Sequence, residues 1–75
     1  MIRFRLKEMI AEKSFKEGRS IPMGEVAEKT GIHRTTLTKL ANQFGYNTTT
    51  DVLDKLCDYF ECELSDIAQR YPNKD

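Results

Sequence analysis

The chain has 75 residues, a length that buries only about 60% of the unfolded chain's surface and leaves no room for both a nucleic-acid reader and a sensor domain. Apolar residues make up 39% and charged residues 32%, which excludes a disordered chain, and apolar runs no longer than three residues exclude a bilayer-spanning helix. Net charge is zero, yet residues 1–50 hold nine Lys/Arg against five Glu while residues 51–75 hold three against seven Asp/Glu, so one basic face can still be steered to phosphate.

The stretch from Lys29 to Thr50 contains no acid at all. The basic N-terminus, Met1 to Arg5, is followed by no apolar segment, so a cytoplasmic protein without a secretory signal is expected. Cys57 and Cys62 flank one predicted helix end, which suits a disulfide poorly, and the single His33 lies too far upstream to complete a zinc site. Both cysteines are expected to be small buried apolar residues in a reducing compartment, with no cofactor or metal.

Glycines and prolines divide the chain into five helices, with no strand signal. The first is predicted from about Arg3 to Phe15, with Leu6, Met9, Ile10 and Phe15 near helical spacing. The second starts near Pro22, turns Val26 and Ala27 inward, and stops at Gly31, where only glycine takes a left-handed backbone without penalty. The third runs from about Arg34 to Gln43 with Leu37, Leu40 and Ala41 inward. Thr35, Thr36, Thr38, Lys39 and Asn42 are left for solvent or a partner. Threonines are poor helix formers, so something other than helix stability selects three of them.

A hydroxyl-rich loop, Gly45 to Thr50, follows. Thr49 or Thr50 caps the fourth helix and Asp51 suits its N-terminus. That helix reaches about Phe60 with Val52, Leu53, Leu56, Cys57 and Phe60 on its apolar face. A short fifth is predicted from about Leu64 to Arg70, with Leu64, Ile67 and Ala68 inward and Pro72 as its stop. The whole is an all-α domain of five helices spanning residues 1–75.

The informative stretch is Met23 to Leu40. Small Ala27 lets the third helix approach, Gly31 turns the chain, and Ile32, Leu37 and Leu40 lock against Val26 and Ala27. The opposite face of helix three is thereby pushed outward, in a form that fits a B-DNA major groove. With Ala27, Gly31, Ile32, Leu37 and Leu40 in register, and with Arg3–Lys13 upstream and Val52–Ile67 downstream, the chain resembles the Cro/C1-type helix-turn-helix regulators of bacteria and phages.

That resemblance implies a five-helix, lambda-repressor-like domain with helix three in the major groove. It places Arg34, Thr35, Thr38 and Lys39 where the family reads bases, and His33, Asn42 and the following loop beside the backbone. Met23, Thr36, Tyr46, Asn47, Thr48 and Thr49 join the expected backbone contacts. The chain departs from the family in having Met23 where Gln is frequent, a lengthened link from Ser14 to Pro22 carrying Lys16 and Arg19, and Ala41–Gly45 in place of an acidic-Asn-Gly end.

The chemistry of these side chains agrees in part. Arg34 can fork onto guanine O6 and N7, and Lys39 can contact the same edge more weakly. Thr35 and Thr38 offer a hydroxyl and a methyl, while Thr48 and Thr49 near a helix N-terminus can bind phosphate. Phe44 and Tyr46 fit either a packed loop or a contact with sugar, and Tyr59 and Tyr71 are available for a dimer surface.

The expected partner is double-stranded DNA, bound by a homodimer, with no membrane and no small-molecule ligand. The alternative is a protein-interaction or antitoxin-like accessory module on the same scaffold, suggested by the acidic C-terminal third. An enzyme is not expected, since no nucleophile, phosphate loop or metal cluster is recognisable.

Overall fold

The computed structural model describes residues 1–43 and 45–72; the expectation for Phe44 lies outside them. In chain order the elements are β1 (Ile2–Phe4), α1 (Leu6–Glu17), α2 (Met23–Thr30), α3 (Arg34–Asn42), α4 (Thr50–Phe60), α5 (Leu64–Ile67) and β2 (Ala68–Arg70). The five expected helices are present, and one expectation is overturned: there are strands. β1 and β2 pair antiparallel, Ile2 opposite Arg70, Arg3 opposite Gln69 and Phe4 opposite Ala68.

The sheet corrects both terminal helices. The first begins at Leu6 rather than near Arg3, and the fifth ends at Ile67 rather than Arg70. The alternation Ile2-Arg3-Phe4-Arg5 is a period-two pattern. It is too short to be distinguished from the start of a helix without its partner strand, and Gln69 and Arg70 are not β-formers. Pairing across the chain decides the matter. The Arg5 N–H donates to the Ile67 carbonyl at 2.6 Å and the Tyr71 N–H to Met1 O at 2.8 Å, so the two ends of the domain are tied together.

The core consists of Phe4, Leu6, Met9, Ile21, Val26, Ile32, Leu37, Leu40, Leu56 and Ile67. Two expected inward residues are elsewhere. Phe15 is 88% exposed; it follows Leu6 by nine residues, which at about 100° per residue turns it to the opposite face of α1. Leu64 is 53% exposed. It opens a four-residue helix, and helical side chains lean toward the N-terminus, so Leu64 leans off the end of the core. Cys57 and Cys62 are half-buried rather than buried, and burial still pushes the Cys62 thiol up to about 11.

The long link between α1 and α2 folds back on α1. The Ile21 N–H donates to Ser14 Oγ at 3.2 Å, the Arg19 N–H to Ser14 O at 3.1 Å, and Ile21 drops into the core. Arg19 then forks onto both carboxylate oxygens of Glu25 and also bonds Glu17. The Arg19 guanidinium holds the Glu25 carboxyl below its usual range. Arg19 is therefore engaged with α2.

Three helix ends use the left-handed backbone, those of α1 and α2 with glycine and that of α4 without. Gly31 ends α2 with φ 75°, and no atom lies within 4 Å of where its Cβ would stand. Glu61 ends α4 with φ 53°, and the Cys62 N–H closes the turn onto Cys57 O at 3.1 Å. The left-handed backbone costs an L-residue about 1–2 kcal/mol. Gly31→Ala is therefore expected to lower stability by about that amount and Glu61→Gly to raise it by about 1 kcal/mol, as read from urea unfolding midpoints. Leu37 is fully buried, so Leu37→Ala should cost about 2–5 kcal/mol, whereas Phe15→Ala in the same assay should change stability by less than about 0.5 kcal/mol.

Candidate nucleic-acid interface

A helix can read a groove only if its orientation is set by something other than the ligand. Here the setting begins in the turn between α2 and α3. The Gly31 N–H donates to Ala27 O at 2.9 Å. The Thr30 hydroxyl donates to Val26 O at 2.7 Å and accepts the Ile32 N–H at 3.2 Å, so one side chain couples the last turn of α2 to the first residue beyond it. Ile32 is buried and begins the apolar lock that Leu37 and Leu40 complete.

With Leu37 and Leu40 held inward against α1 and α2, the other face of α3 is turned out. Arg34, Thr35, Thr38 and Lys39 are all exposed, and Thr36 is half-buried. The expected base-reading residues therefore share one outward face. Among the described residues, neither Arg34 nor Lys39 enters an ion pair. The cations of β1 and of the α1–α2 link are different: Arg3 and Arg5 meet Glu8 and Glu12, and Arg19 meets Glu25.

His33 is the N-cap of α3. Its Nδ1 accepts the Thr35 N–H at 3.3 Å, which leaves the proton on Nε2 as an outward donor when the ring is neutral. The spacing of helix three placed His33 at the helix start, but the cap bond was not legible, since Ser, Thr, Asp and Asn are the usual caps.

Two further bonds narrow what the outward face can do. The Thr38 hydroxyl donates to Arg34 O at 3.0 Å, so its proton is already used and the side chain presents a methyl and an acceptor. The Asn42 amide donates to Thr38 O at 2.9 Å, which fixes the amide at the C-terminal end of the same face. Back-bonding of this kind restrains polar side chains before any ligand arrives.

The loop after α3 is brought alongside it. Tyr46 is half-buried and packs against the core. The Lys39 ammonium stands 6.0 Å from its ring centroid. Asn47 is exposed and Thr48 half-buried. Thr49 caps α4, its hydroxyl accepting the Val52 N–H at 3.2 Å, and as an acceptor there it retains its own proton. Met23 opens α2 and is half-buried, packed against the core.

No helix among the described residues is long and apolar enough to cross a membrane. No curated protein matches the chain. The family model of the Cro/C1-type HTH DNA-binding domain matches residues 5–73, from the end of β1 through α5 and β2. The chain, with α2 and α3 packed together through the turn at Gly31, belongs to the Cro/C1-type helix-turn-helix DNA-binding family.

Proposed function

We propose that this domain is a sequence-specific binder of double-stranded DNA that regulates transcription, with α3 in the major groove and two copies on a palindromic site. What supports the reading most is a single observation. Arg34, Thr35, Thr38 and Lys39 are exposed together on a helix whose opposite side is locked into the core, and the two cations among them have no acidic partner among the described residues.

In this reading Arg34 takes guanine O6 and N7 as a fork, and Lys39 reads an acceptor edge as a point charge. Thr35 and the Thr38 methyl meet a thymine methyl or phosphate. His33 Nε2–H, Asn42, the Thr36 hydroxyl, the Met23 backbone and the loop from Tyr46 to Thr49 hold phosphate and sugar, which sets the register of the helix without reading sequence. In this reading the protein is a binding module rather than an enzyme and works in the cytoplasm.

Arg34→Ala is expected to cost about 1–3 kcal/mol on the selected site and to relax preference at one base pair. Selection of bound duplexes from a random pool, run on both proteins, checks this; an identical preference from both would remove Arg34 as a base reader. Binding should also fall linearly in a plot of log affinity against log salt, with a slope of about −0.9 per phosphate neutralised. A protein-interaction module would show no duplex affinity at low salt and therefore no such line.

A further inference from the structure

We propose that Cys57 and Cys62 are a dithiol that closes to a reversible disulfide across the end of α4, with a low-molecular-weight disulfide as the oxidant. On an uninterrupted helix, side chains five residues apart point about 140° away from each other and stand about 7.5 Å apart along the axis. A disulfide does not span that arrangement, which is why the sequence argues against one. The structure removes the objection. Glu61 ends α4 in the left-handed region with φ 53°, so the chain turns back between the two cysteines.

The turn sets their separation. The Cys62 N–H donates to Cys57 O at 3.1 Å and the Glu61 N–H to Asp58 O at 3.3 Å. These are the paired bonds of a Schellman ending, in which the side chains of the first and sixth residues meet. Standard bond lengths on either side of the first bond cap the Cα–Cα separation at about 7 Å even with every bond in line. The bends at the carbonyl and the amide bring it into the window of about 4.4–6.8 Å that a disulfide needs.

The side chains converge as the backbone requires. Both cysteines line one shallow hollow of about 540 Å³, and the Cys62 thiol is a hydrogen-bond partner of Cys57. Each is half-buried, so a small molecule entering the hollow reaches sulfur. Asp58, Glu61, Glu63 and Asp66 form the rest of the wall, which suits a cationic reagent.

Burial raises the pKa of Cys57, with the hydrogen bond from Cys62 acting against it, and pushes Cys62 up to about 11. Both are therefore protonated at neutral pH and slow to react, as suits thiols that stay reduced until their surroundings turn oxidising. In the reaction Cys57 gives up its proton and its thiolate attacks one sulfur of the reagent. The reagent's S–S bond breaks, and the departing half takes up a proton. The Cys62 thiolate then attacks the Cys57 sulfur of the mixed disulfide and expels the second half, which takes up the other proton. The protein pair loses two electrons and one reagent disulfide becomes two thiols.

Cystamine with cysteamine, in mildly alkaline buffer, is the probe. Free thiols are trapped by alkylation and the chain is weighed. The folded wild type should become two hydrogen masses lighter as a single chain, and excess cysteamine should reverse this. Cys57→Ser and Cys62→Ser should each stop at one cysteamine adduct. Any flexible segment of this length closes to some extent, so the chain unfolded in urea is the reference. At one cystamine/cysteamine mixture the ratio of disulfide to dithiol should be at least about tenfold higher in the folded chain. Linkage makes the effect mutual, so the oxidised form should unfold at higher urea than the reduced form.

A ratio no higher than that of the unfolded chain overturns the proposal. So does a product linked between two chains, or an oxidised form that unfolds at lower urea than the reduced one. Should either serine variant fail to fold, the comparison of folded and unfolded wild type carries the test alone.

Discussion

The turn at Gly31 is the constraint on which the rest of this structure depends. A left-handed residue ends α2, the Thr30 hydroxyl bridges the turn, and Ile32 is drawn into the core immediately afterwards. From that point the direction of α3 is no longer free. Leu37 and Leu40, three residues apart, face the same side and are buried against α1 and α2, so Thr38 and Lys39 between them face solvent. The outward face of α3 is the consequence of burying its other side.

Electrostatics then separates scaffold from interface. The ion pairs of the described residues join the β1 end of the chain to α1, lie within α1 and α4, and tie the α1–α2 link to α1 and α2. Individually such exposed pairs add little to stability, because solvent and salt screen them. Their structural consequence is that Arg3, Arg5 and Arg19 are occupied, and Arg19 pins an unusually long link onto α2. Arg34 and Lys39 sit in the one stretch of sequence without acids, so their field is directed outward. A molecule of zero net charge can in this way present a positive face to phosphate, because steering follows local potential rather than the total.

The small sheet has a role out of proportion to its six residues. A 75-residue chain has little core to hold its ends, and here the ends hold each other. β1 enters beside β2, Phe4 reaches the core, and the Arg5 N–H bonds to the last residue of α5. The same pairing brings Ile2, Ala68 and Arg70 onto one face next to Leu64, joining a surface from residues more than sixty positions apart.

Helix periodicity, the stop at Gly31 and the apolar triplet Ile32, Leu37 and Leu40 are local properties. They are legible in the chain because a 3.6-residue repeat and a positive-φ turn are encoded by neighbours. The outward set Arg34, Thr35, Thr38 and Lys39 follows from the same repeat. His33 capping its own helix and Thr38 bonding back to Arg34 are local too, but each side chain had other partners open to it, and only the folded backbone selected among them.

The remainder needed the tertiary structure. Ile2–Phe4 and Ala68–Arg70 become strands only because each completes the other's hydrogen bonds, and nothing within either segment specifies a partner at the far end of the chain. Phe15 and Leu64 looked apolar and inward by spacing alone. Which way they face depends on where α1 begins and where α5 stops, and contacts between distant segments decide both.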